Sequence, residues 1–128
     1  MIGNNLWKVA TVIGMAVILF IGLFWGWNTG KIRAQTQTVL ANEQALEKAL
    51  ENFYNDQNRY PTAGEFSDPN ILGVYVQGSY PVADIQTKVC SQSFLYRRIS
   101  FTTYQLNYCL PNASGNFPAG WNKKTVTK

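Results

Sequence analysis

With 128 residues the chain has room for one small domain besides an anchor, since domains run from about 50 to 200 residues, and a large enzyme is excluded. Charged and aromatic residues each make up 14%, so ring-bearing side chains must carry much of any core outside a membrane. Histidine is absent, which removes the commonest general base and metal ligand together with Ser/His, Cys/His and His-rich zinc chemistry; no enzyme activity and no cofactor are expected.

The net charge of +4 comes partly from Lys8, Lys31 and Arg33, which flank an apolar run, and partly from Lys123, Lys124 and Lys128 in the tail. Residues 9–27 contain no charged side chain. At 1.5 Å per residue they span about 29 Å, close to the roughly 30 Å thickness of bilayer hydrocarbon. Trp7 stands at one border and Trp25 with Trp27 at the other, where amphipathic rings prefer the headgroup level. A cleaved signal peptide would need a shorter apolar region and a small-x-small site after it, and residues 28–31 offer none. The first predicted element is therefore a transmembrane anchor helix over residues 1–30. Gly14, Gly22, Gly26 and Gly30 share one side of it, forming two overlapping GxxxG motifs that would let helices approach closely in lipid.

No proline interrupts the chain between Leu6 and Tyr54, and beyond the membrane Ile32, Val39, Leu46 and Phe53 recur every seven residues, with Ala45, Ala49 and Leu50 widening the stripe. Residues 31–57 are expected to continue the helix without a break. The polar face carries Glu43, Glu47 and Glu51 at successive i+4 steps, a like-charge ladder. It is either a solvated face or an acidic stripe meeting basic side chains of a neighbouring subunit, for which Lys123, Lys124, Arg97 and Arg98 are available.

Residues 58–128 are expected to form a small extracytoplasmic domain of loops and antiparallel sheet. Residues 55–58 and Tyr60-Pro61 end the helix, 61–69 reads as a loop, 71–76 as a short apolar run, and Tyr80-Pro81 as another break. The clearest strand is 104–110, where Tyr104, Leu106, Tyr108 and Leu110 alternate with polar residues and Cys109. Residues 94–101 read as its hairpin partner, with a bend or the start of the turn at Arg97 and Arg98, which would otherwise point to opposite faces. After Pro111 a loop or tail is expected to lie over the sheet.

Cys90 and Cys109 are the only cysteines. A disulfide fits them better than a metal site, which would want four ligands; two buried free thiols are the alternative. A disulfide belongs on the oxidising side of the membrane and so places the amino terminus in the cytoplasm, a choice that the flanking charges leave open. Asp56 and Asp68 read as turn caps, and no calcium-loop spacing is present.

Residues 49–62, ALENFYNDQNRYPT, follow a hydrophobic helix that runs on into an amphipathic one, and with Phe94-Leu95-Tyr96 and Tyr104-Gln105-Leu106 this arrangement resembles the type IV pilins and type II secretion pseudopilins. The resemblance implies an α+β fold, a long N-terminal helix with a small antiparallel sheet packed on its distal half. It also implies a subunit that waits in the inner membrane and joins a helical filament of like subunits with the help of pilus or secretion machinery. In that family the leader ends in Gly before Phe or Met, and a Glu occupies the fifth mature position; here Gly3 precedes Asn4, and Lys8 stands at that place with reversed charge. The alternative function is a single-pass protein with a non-polymerising binding module. Arg97 and Arg98 beside Phe94, Tyr96 and Phe101 would also suit single-stranded DNA, although a hairpin with a packed aromatic face accounts for the same residues.

Overall fold

Without proline or a strong breaker to interrupt it, the first helix, α1, runs from Gly3 to Gln57 in a computed structural model that describes residues 3–80, 82 and 84–128. The chain divides into two compact units, Met1–Ile32 and Arg33–Lys128.

Among the described residues, the first unit consists of the first part of α1. Its best 18-residue window has a mean hydropathy of 2.3 and none of it is buried, so it is a helix long and apolar enough to cross a membrane. Its threonines are satisfied internally. Thr11 donates to the Trp7 and Lys8 carbonyls at 3.1 and 2.9 Å, and Thr29 donates to the Trp25 carbonyl at 2.9 Å. A hydroxyl bonded within its own helix can enter hydrocarbon without leaving an unpaired polar group.

In the second unit the heptad stripe is the buried face of the helix. Val39, Leu46, Ala49, Leu50 and Phe53 are each at most 2% exposed, whereas Ala45 is half-buried; Ile32, the first position of the expected stripe, belongs to the first unit. Asn58, with φ +54°, ends α1 in left-handed geometry and donates its backbone N–H to the Tyr54 carbonyl at 2.8 Å. Asn tolerates that conformation because its short amide can bond locally, which makes it a helix stop without glycine. Residues 61–69, expected to be a loop, contain a second helix, α2, over Ala63–Ser67. Thr62 Oγ1 accepts from the Glu65 N–H at 3.2 Å and Glu65 Oε1 accepts from the Thr62 N–H at 3.3 Å, a reciprocal capping box. In the apolar run that follows, Gly73–Tyr75 forms a single 3-10 turn and Leu72 alone is fully buried. Pro81, where a break was expected, lies outside the described residues.

Three antiparallel strands follow, β1 (Phe94–Ser100), β2 (Thr103–Leu110) and β3 (Gly120–Thr127), in the order β1-β2-β3. The expected alternation of β2 holds: Tyr104, Leu106, Tyr108 and Leu110 are between 0 and 5% exposed and pack with the α1 stripe in two clusters, around Leu46 and around Val39. Burying side chains of this size is worth about 1.5–3 kcal/mol each, so the helix-to-sheet seam is the main cohesive element. The α+β layout expected from the sequence is thus present, with the sheet on the distal half of α1.

Two expectations for the sheet are corrected. No bend separates Arg97 from Arg98; they pair with Gln105 and Tyr104 in continuous register, and the irregularity falls between Arg98 and Ser100. The segment after Pro111 is not only a tail but also supplies β3, paired with β2 from Thr103↔Thr127 to Leu110↔Gly120. Its strand pattern is weak in the sequence because two of the three side-chain-bearing positions on its inner face after Gly120 are polar, Asn122 and Lys124, with Val126 the third.

Candidate assembly site

The glycine face of the first unit is open. A Cβ built on Gly14, Gly22, Gly26 or Gly30 would meet nothing within 4 Å. Beside Gly22 and Gly26 the rings of Phe20, Phe24 and Trp27 stand 73–80% exposed. Small residues flanked by large apolar ones make a groove into which another helix can fit, and close backbone approach is what drives helix association in lipid. Lys8 is exposed.

The acidic ladder is answered within the chain. Lys124 on β3 brings Nζ to 2.5 Å from Glu47 Oε2 and 3.8 Å from Glu43 Oε1, and Lys128 places Nζ 2.9 Å from Glu51 Oε1. Of the two readings of the ladder, a solvated face or a stripe meeting a neighbouring subunit, neither describes it within the chain, where cations of the same chain pair with all three carboxylates. The fit follows from element geometry: four residues of helix rise about 6 Å and four residues of strand about 13 Å. Glu43 and Glu47 consequently share one lysine, while Lys128, four residues further on, reaches Glu51.

Glu43 is the anomalous member. It is 6% exposed, and its Oε1 accepts no hydrogen bond among the described residues. Burial pushes its carboxyl above the ordinary range, with Lys124 opposing the shift and Glu47 adding to it. Lys124 is raised, first by its hydrogen bond to Glu47. Exposed Glu51 is lowered by its hydrogen bond from Lys128, which is itself raised.

Arg97 and Arg98 part company across the sheet. Arg97 is exposed beside Leu95, whereas Arg98 is half-buried on the inner face, donates from Nη1 to the Tyr60 carbonyl at 3.2 Å and stacks over the Phe101 ring at 5.1 Å. Tyr60 in turn donates its backbone N–H to the Phe101 carbonyl at 2.8 Å, so Arg98 locks the helix exit to the hairpin. The pair does not form the joint cationic surface that DNA capture would use.

Cys90 and Cys109 are bonded to each other, with Cα atoms 5.7 Å apart. The bridge ties the loop before β1 to the outer face of β2 and leaves the Tyr/Leu face free for α1. Asp68 caps a turn, its Oδ1 accepting from the Asn70 N–H at 2.8 Å, whereas Asp56 accepts from the Tyr75 hydroxyl at 3.0 Å and so makes a tertiary contact. Glu65, beyond its capping role, takes both Arg59 guanidinium nitrogens at 2.9 Å, and this pairing holds its carboxyl down at about 2. No group of three or more Cys, Asp or Glu able to hold a metal occurs among the described residues.

No protein-family model, curated protein or solved structure matches this chain.

Proposed function

We propose that this chain is a pilin-like structural subunit, anchored by the first part of α1 and assembled through it into an extracellular or periplasm-spanning filament. The observation that carries the reading is the contrast along one helix. The distal part is covered by the sheet of its own chain, while the first unit is bare, apolar and glycine-lined. A bare apolar helix is satisfied by lipid or by other helices, and an open small-residue face favours the second whenever copies meet. Head-to-tail association of such copies produces open filaments. The Cys90–Cys109 bridge supports a membrane orientation with the sheet domain outside the cytoplasm.

The test is purification of surface filaments, or of secretion-dependent ones, from cells in which the motor is active. A principal band of this chain, lost in Gly22→Leu and Gly26→Leu while the protein still accumulates in the membrane, is the expected result. Solely monomeric membrane protein under those conditions would instead favour a non-polymerising binding module. Mass spectrometry of the mature amino terminus separates an unprocessed Met1 start from cleavage ahead of Asn4, where Lys8 replaces the family's Glu.

A further inference from the structure

A polar recess of about 250 Å³ opens between the start of the second unit's helix and the loop after β2, lined by Arg33, Thr36, Gln37 and residues 112–114. At about 30 Å³ per water it exceeds a single hydration site several-fold. Its hydrogen bonds are one-sided. Thr36 Oγ1 accepts from the Asn112 N–H at 3.1 Å, Asn112 Oδ1 from the Ala113 N–H at 3.0 Å, and Ser114 Oγ from Gln37 Nε2 at 3.3 Å. Three side-chain acceptors are thereby engaged, and beside the Gln37 Oε1 acceptor the recess keeps a majority of donors: the Arg33 guanidinium, the Asn112 amide, the Ser114 hydroxyl hydrogen and the second amide hydrogen of Gln37. No carboxylate lines the recess, and Arg33 has no ion-pair partner among the described residues. A planar guanidinium with convergent neutral donors suits a tetrahedral oxyanion, which it can grip at two oxygens.

The chain position of the recess points to the source of that anion. Arg33 follows closely on Trp25, Trp27 and Lys31, residue types that settle at the headgroup level of a membrane. We propose that Arg33, Gln37, Asn112 and Ser114 form a phosphate-binding site whose occupant is the phosphodiester headgroup of an anionic lipid. This inference needs a membrane but not a filament, so it stands or falls apart from polymerisation.

The test uses the full chain, isotope-labelled, in phosphate-free nonionic micelles, with the side-chain amide signals of Gln37 and Asn112 followed by NMR. Inorganic phosphate and a short-chain phosphatidylglycerol are titrated separately. Saturable shifts of both amides are expected, with the lipid saturating at lower concentration; equal saturation by phosphate would keep the site and assign it to the soluble anion. Arg33→Gln should weaken binding roughly tenfold or more, the loss of one charge-assisted contact, while Lys31→Gln should change it less than about twofold. Unmoved amides in the unsubstituted protein, or equal losses in the two variants, would overturn the proposal; the first of these results depends on no variant folding.

Discussion

Replacing Lys124 by Met removes the cation shared by Glu43 and Glu47 while keeping the aliphatic stem that packs along the strand. Glu43 would then be a buried carboxylate with no nearby cation, since its Oε1 already accepts no hydrogen bond and Lys124 is its one ion-pair partner among the described residues. Breaking a fully buried pair costs about 3–5 kcal/mol, but Lys124 is 41% and Glu47 35% exposed, so solvent reduces the figure to about 1–2 kcal/mol. For a unit of this size that is a fall in melting temperature of roughly 4–16 °C, measurable on the full chain in micelles by circular dichroism. The sign with pH follows from Glu43. Its folded pKa lies above the ordinary value of 4.5, so it favours the fold below that value, and this contribution is lost as pH rises through the folded pKa. The Lys124→Met penalty should therefore be largest at pH 7 and shrink once Glu43 is protonated, and Glu43→Gln should raise the melting temperature at pH 7 and remove most of the penalty in the double variant. A penalty that is the same at pH 7 and pH 4, or that survives Glu43→Gln unchanged, would refute the account through Glu43 and leave the loss to packing or to the Lys124–Glu47 pair.

Removing the Cys90–Cys109 bridge by a paired serine substitution releases a loop spanning 19 positions and should cost about 3 kcal/mol, read by urea unfolding with and without reductant. Thr62→Ala should cost about 1 kcal/mol through loss of the α2 cap, visible as faster amide exchange at Glu65 and Phe66. Glu65 has a lowered folded carboxyl, so its contribution is present above the unfolded value of 4.5 and is lost as pH falls toward about 2; Glu65→Gln should flatten that part of the acid-unfolding curve.

Elements whose burial pattern matches their period were legible in the sequence. The α1 stripe from Val39 to Phe53 and the β2 alternation from Tyr104 to Leu110 are apolar where they face each other, and the count of two cysteines favours the pairing that is present over free thiols. What escaped were elements whose inner faces are polar for a tertiary reason. β3 presents Lys124 inward because the helix opposite presents Glu43 and Glu47, so neither sequence looks amphipathic in the usual sense there. The α2 signal, Thr62 followed three residues later by Glu65, was readable as a capping box but lay between two prolines that argued for a loop. The expected bend at Arg97 and Arg98 was misplaced because adjacent arginines can serve opposite faces when one of them finds a carbonyl and a ring inside, as Arg98 does.

The internal pairing of the ladder also constrains how copies of this chain could recognise one another. Glu47 and Glu51 are bound to lysines on or just beyond β3 and Glu43 is buried, so the acidic stripe is not free to select a neighbour without first breaking contacts that hold β3 to α1. Among the described residues, the cations without an ion-pair partner include Lys8, Arg33, Arg97 and Lys123, and like charges at two surfaces repel across a shared interface. In the filament proposed above, attraction between copies would then come from the bare helix, where the Gly22 and Gly26 groove is open and apolar. Lys8, near one end of that helix, works against close packing of parallel copies unless an anion meets it. Removal of its charge by Lys8→Gln should therefore strengthen association of the anchor in micelles, and weaker cross-linking of Lys8→Gln would mean that Lys8 already has an acidic partner in the assembly.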